Sequence, residues 1–153
     1  MATDLPGNLD VLNNTLNLEV GDSWATYDND DYHFQIKFPD SMNLDAVENE
    51  FFLNDRKEDV YPLNRPVTIT VISNVESMPL HSWLANEHSR SWFKYYDSRS
   101  NFIGAEASII GIKMKEEGDP DHFNYYFASP QYVYRITSIN ENYENVIRTF
   151  RLK

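Results

Sequence analysis

There is no cysteine in this 153-residue chain. Disulfides, thiolate metal sites and cysteine nucleophiles are therefore excluded. Glycine is scarce too, with five residues scattered along the chain, so neither a glycine-rich phosphate loop nor a Gly-x-Ser-x-Gly elbow is present. Apolar runs are short. None approaches the ~20 residues of a membrane-spanning helix, and no charged-then-apolar signal segment opens the chain. Positive charge is the remaining shortage: 13 Lys and Arg face 24 Asp and Glu, a net charge of −11. Such a field repels phosphate backbones and makes nucleic acid a poor partner. It would attract cations or a basic protein surface, although a solvated acidic exterior is the commoner meaning.

Aromatic residues are plentiful, with ten Tyr, nine Phe and three Trp. A chain of this length fits one domain that buries roughly 70% of its unfolded surface. The clearest local signal is Tyr32-His33-Phe34-Gln35-Ile36-Lys37-Phe38-Pro39. Apolar side chains occupy every even position and polar ones every odd position, the period of a strand with one face in a core and one in water. Pro39 lacks an amide hydrogen and ends the pairing. Upstream, residues 1–22 read as a leader without sustained periodicity, with a short helix conceivable over Leu9–Leu16 and a glycosylation-type triplet at Asn13-Asn14-Thr15. Trp24 to Tyr27 forms a first strand, and Asp28-Asn29-Asp30-Asp31 a tight turn.

Further strands are expected over Val47–Leu53 and Val67–Ile72, separated by a polar loop from Asn54 to Arg65. Pro79 opens a helix whose apolar face carries Leu80, Trp83, Leu84, Ser91, Trp92 and Tyr95, ending near Asp97–Ser100. Ile103-Gly104-Ala105 follows, then a strand with Ile110, Ile112 and Met114 on one face, and a surface turn over Glu116–Asp121. Alternation at Phe123, Tyr125 and Phe127, a Ser129-Pro130 turn, and alternation at Tyr132, Tyr134 and Ile136 predict an antiparallel hairpin. A short helix closes the chain, capped by Asn140, with Tyr143, Val146, Ile147 and Phe150 as its apolar stripe and Glu144 to Arg148 as an i, i+4 pair. The sum is α+β: an antiparallel β-sheet flanked by helices, residues 23–153 forming one domain behind the 1–22 leader.

These pieces, in their order and spacing, resemble PsbP-like domains. The residues that carry the resemblance are Trp24–Pro39, Ile69–Ile72, Leu80–Leu84, Ile103–Ala107 and Tyr143–Phe150. The family's usual Gly before the central Phe is His33 here. The resemblance implies an α/β/α sandwich shared with a family that binds the GTPase Ran. Plant members are extrinsic lumenal proteins of photosystem II, and many bacterial members are exported proteins or lipoproteins. A fold hosts many functions, so no mechanism comes with it.

Candidate sites divide into weak ligands and packed side chains. His81 and His88 are two helical turns apart, about 10 Å by helical rise, too far for one ion without a third element. No His-Glu-x-x-His exists, and His88, between Leu84 and Trp92, reads as a packed histidine. His33 faces outward with Gln35 and Lys37, while His122 beside Asp119 and Asp121 makes at most a weak surface cation site. Asp28–Asp31 begins like a calcium loop, but its sixth and twelfth places hold His33 and Pro39 where Gly and Glu are needed. Glu116 and Glu117 are solvated neighbours, and Trp83, Trp92, Tyr95 and Tyr96 read as core rather than a stacking groove. No catalytic, cofactor-binding or metal-binding residue is therefore assigned. The expectation is a non-enzymatic, exported PsbP-like accessory module contacting another protein or assembly at the cell envelope. Its N-terminal signal or lipid anchor would have been removed; otherwise the protein is cytoplasmic. A small-ligand or cation-binding domain is the alternative reading, and a hydrolase with a dispersed triad the third.

Overall fold

The computed structural model describes residues 24–55, 66–87, 100–105, 110–116, 119–139 and 141–153. The leader, much of the loop before Arg65, the second half of the predicted central helix with His88, Trp92, Tyr95 and Tyr96, and the Asn140 cap all lie outside these residues.

Strand β1 (Trp24–Asn29) pairs antiparallel with β2 (Phe34–Pro39), and a two-residue strand near the C-terminus, β10 (Arg151–Leu152), pairs with the other edge of β2. The alternating run thus forms the middle of a small three-stranded sheet. Phe34 and Ile36 are wholly buried and Phe38 nearly so, while Gln35 and Lys37 point the other way. The strand begins two residues later than the alternation suggests, because Tyr32 and His33 belong to the turn. Asn29 supplies the expected Asx bond there, its Oδ1 accepting from the Tyr32 amide at 2.7 Å. His33 closes the turn with a left-handed φ of 60°.

Among the described residues the larger sheet has seven strands in the order β3-β4-β5-β9-β8-β7-β6. They are β3 (Met42–Val47), β4 (Glu50–Asp55), β5 (Val67–Ser73), β6 (Ser100–Ile103), β7 (Ile110–Glu116), β8 (Asp119–Ala128) and β9 (Tyr132–Ser138), every pairing antiparallel. The hairpin of β8 and β9 is as the alternation predicts. Two expectations need correction. The run Val47–Leu53 is not one strand: Glu48, with φ 56°, turns the chain between β3 and β4, and Val47 pairs with Glu50. The Glu116–Asp121 turn is also shorter than expected, because the ladder resumes at Asp119 opposite Glu116 after a register shift.

Helix α1 (Leu80–Glu87) lies on one face of this sheet, where Trp83 and Leu84 join Met114, Tyr126 and Val133 in a compact cluster. Pro79 stands just before the helix, and its carbonyl accepts from the Trp83 amide at 2.9 Å. The opposite face meets the small sheet. Between them, Phe34 and Ile36 pack with Phe51, Leu53, Ile69, Tyr125, Phe127, Tyr134 and Ile136. Phe150 sits at the centre of this main core, stacked on Phe127 with ring centroids 4.7 Å apart and 5.8 Å from Phe34.

The C-terminal helix is reduced to a 3-10 turn (Glu141–Tyr143) and one turn of α-helix, α2 (Glu144–Ile147). Tyr143 occupies its N-cap position without a side-chain cap bond. The predicted stripe still buries Val146, Ile147 and Phe150. Thr149 ends the helix by donating its hydroxyl to the Val146 carbonyl at 2.6 Å and accepting the Lys37 amide at 2.8 Å. That bond delivers the chain to β2, where Arg151 and Leu152 pair with Gln35 and Phe34. The antiparallel sheet flanked by helices is thus present, with a small sheet sharing the inner flank.

Candidate functional site

Because Phe34, Ile36 and Phe38 face the core, Gln35 and Lys37 must face out. Pairing of β10 with β2 sets Arg151 opposite Gln35, and the Thr149 staple sets the end of α2 beside Lys37. Ala105 completes the wall, tied by its amide to the Phe150 carbonyl at 2.9 Å. The result is a cleft of ≈ 300 Å³ lined by Gln35, Lys37, Ala105, Arg148, Thr149 and Arg151. Three cations line it in a chain of net charge −11.

Arg148 is held from behind. The Arg148 guanidinium lies 4.4 Å from the centre of the Phe102 ring, and one of its Nη2 hydrogens points to Glu144 Oε1 at 3.5 Å. Arg151 acts on Asp28, whose carboxyl is held below its ordinary range first by the Gln35 amide, which donates to Oδ1 at 2.7 Å, and then by Lys153 and Arg151. Lys153 is in turn raised, chiefly by its bond to Asp30. Lys37 stands in none of the ion pairs between described residues.

Behind Arg148 stands a second network. Glu144 Oε2 accepts from the Tyr125 hydroxyl at 2.7 Å and from the Lys113 ammonium, which also reaches Glu141. Lys113 and Glu144 side chains are only 16% and 18% exposed. Burial opposes the charge on Lys113, but the two glutamates outweigh it and raise its pKa. Tyr125, buried and bonded to a carboxylate, has its hydroxyl pushed far above the ordinary tyrosine range, burial being the larger cause. The Lys113 ammonium also sits 4.5 Å from the Phe123 ring centre. This network docks the last helical turn onto β7 and β8; its acids are all committed to partners.

The residues singled out from the sequence fall elsewhere. His33 is exposed in the β1–β2 turn, its ring 6.4 Å from that of Tyr132. His81 is exposed on α1, and His122 is half-buried on β8. Trp83 is core, 8% exposed and 6.3 Å from Tyr126. Asp28 and Asn29 end a strand rather than start a loop. Among the described residues, no three His, Asp or Glu side chains gather closely enough to hold a metal ion. The cleft residues were passed over, although a signal exists: the last six positions, Arg148-Thr149-Phe150-Arg151-Leu152-Lys153, hold three of the 13 cations. Lys37 completes the set only through a contact 112 residues away in sequence.

The sequence matches no protein-family model and no curated protein. In structure it is similar to the solution structure of cyanobacterial PsbP (CyanoP) from Synechocystis sp. PCC 6803. The identity is 10%, the TM-score 0.49, and the match covers 93% of this chain and 99% of that one. Likeness at that level leaves function to the chemistry of the residues. Among the described residues no helix is long and apolar enough to cross a membrane.

Proposed function

We propose that this chain is a non-catalytic binding module that engages a protein partner through the Lys37–Arg148–Arg151 cleft. The supporting observation is the gathering of three cations, from β2, the end of α2 and β10, in one cleft of an otherwise acidic protein. Charge of one sign concentrated against the background steers association and fixes partner register. The polar groups around it favour binding over chemistry. The Thr149 hydroxyl is spent on Val146 and Lys37, and the carboxylates that bond to or act on the lining residues, Glu144 and Asp28, hold Tyr125, Lys113 and Gln35. None is poised as a base beside a nucleophile. Action at the cell envelope draws its support from the resemblance of Trp24–Pro39 and the later segments to PsbP-like domains.

The test compares the full chain with an Arg148→Gln/Arg151→Gln variant, both immobilised, against extract of the source cells. A protein retained by the first, released by salt and absent from the second supports the reading. Identical retention by both overturns it. The cleft would also admit a free small anion. A melting-temperature rise with small carboxylates, together with no cleft-dependent capture, would select that second reading.

A further inference from the structure

We infer that the cleft takes a single carboxylate presented on a peptide, in preference to a phosphate; this rests on the reading of the cleft as the recognition site. The charge count favours a monoanion. Arg148 already shares Glu144, and Arg151 lies in the field of Asp28. Lys37 lines the cleft with no carboxylate in ion-pair contact among the described residues. A dianion would set its second charge against Glu144 and Asp28, inside a molecule of net charge −11. A carboxylate needs only one compensating charge.

Geometry agrees with the charge. A guanidinium presents a planar fork that matches a carboxylate edge to edge. One face of Arg148 lies against Phe102 and an Nη2 turns to Glu144, contacts that bias its rotamer and so reduce the entropy lost on binding. Gln35 donates through its Nε2 to Asp28, which leaves its amide oxygen to accept a peptide N–H. About 300 Å³ holds the end of an acidic side chain, or a chain terminus, together with adjoining backbone.

The full chain, labelled with ¹⁵N, would be titrated with four probes: acetyl-Gly-Glu-Gly amide, acetyl-Gly-Gly-Gly free acid, acetyl-Gly-Gln-Gly amide and pyrophosphate. Saturable shifts of the Gln35, Lys37, Arg148 and Arg151 amides are expected with a carboxylate peptide and not with the glutamine peptide. Whichever carboxylate probe saturates first identifies side chain or terminus as the source. Lys37→Met keeps the backbone bond to Thr149 and should weaken the response by about tenfold, the loss of one charge-assisted bond. Absence of saturable shifts with both carboxylate peptides overturns the inference, as does tighter binding of pyrophosphate. Cleft-dependent protein capture combined with either result would sink the carboxylate and leave the binding module standing.

Discussion

Replacing Tyr125 with Phe isolates one bond in the network beneath the cleft. The ring stays: it is fully buried and meets Phe102 edge to face at 4.8 Å, a contact phenylalanine reproduces. Only the hydroxyl goes, and with it the 2.7 Å bond to Glu144. A hydrogen bond to a charged acceptor contributes about 1.5–3 kcal/mol net. Glu144 keeps Lys113 and Arg148, so its charge is not stranded, and the lower end, about 1.5 kcal/mol, is expected. For a chain of this size that is a fall in melting temperature of roughly 3–6 °C. A second arm uses pH. The Tyr125 hydroxyl titrates above its unfolded value, so the folded state holds a proton that the unfolded state releases near pH 10. Stability is therefore fully present below about pH 10 and falls above it, by up to about 1.4 kcal/mol per pH unit for this group. The variant should lack that increment of slope. Urea denaturation at neutral pH and along the alkaline limb measures both. A loss below about 0.5 kcal/mol, or an unchanged alkaline slope, would show that the hydroxyl is solvated in the folded protein and the network misread.

Other sites give independent outcomes. At Gly111 a Cβ would stand 2.3 Å from the Tyr126 carbonyl and 2.8 Å from the Phe127 ring, so Gly111→Ala should destabilise by about 2–3 kcal/mol in denaturant titration. Thr149→Val leaves the Lys37 amide without its acceptor and should cost about 1–2 kcal/mol, with faster hydrogen exchange at Lys37 as its specific sign. His33 holds a left-handed φ of 60°, which glycine adopts freely; His33→Gly should raise stability by about 0.5–1 kcal/mol, and a loss would mean that the ring contact with Tyr132 outweighs backbone strain. Lys113 and Tyr134, both raised, add to the alkaline loss with the same sign as Tyr125, so the wild type should unfold steeply above about pH 10.

Alternation made much of the fold legible. Where the period of two was clean, as in Phe34–Phe38 and Val67–Val71, strands formed and the apolar set turned inward; the Ile110, Ile112 and Met114 alternation also forms a strand, but at the sheet's far side Ile110 stays 58% exposed while Met114 is buried. The strand β3 was missed because its burial falls from Met42 to three exposed residues at its end, leaving no alternating face to read. The break at Glu48 was hidden for a different reason: a left-handed glutamate carries none of the usual turn chemistry. Strand β10 is two residues long and exists only because Thr149 stops the helix and aims the chain at β2. No local pattern encodes such a partner. The helical stripe identified Phe150 as core correctly, yet for a backbone that has left the helix by then.

The candidate cleft follows from that same failure of locality. Net charge describes the average surface, and at −11 it points toward cationic partners. Recognition depends on where the minority charge is collected. Lys37 faces out because Ile36 and Phe38 face in; Arg151 is beside Gln35 because β10 pairs with β2; Arg148 leans toward Glu144, which is itself bonded to Tyr125 across the chain. The first two steps are packing and pairing requirements, and the third adds an ion pair to the packing of Arg148 on Phe102. The cations converge as a consequence of closing the core with the C-terminal segment around Phe150. A substitution that loosened this closure, such as Phe150→Ala at an expected cost of about 3–5 kcal/mol, should therefore abolish anion binding and stability together. Arg148→Gln should reduce binding at nearly full stability, since its pair with Glu144 is long and half exposed. Finding the two effects in the reverse order would place the recognition surface elsewhere on the molecule.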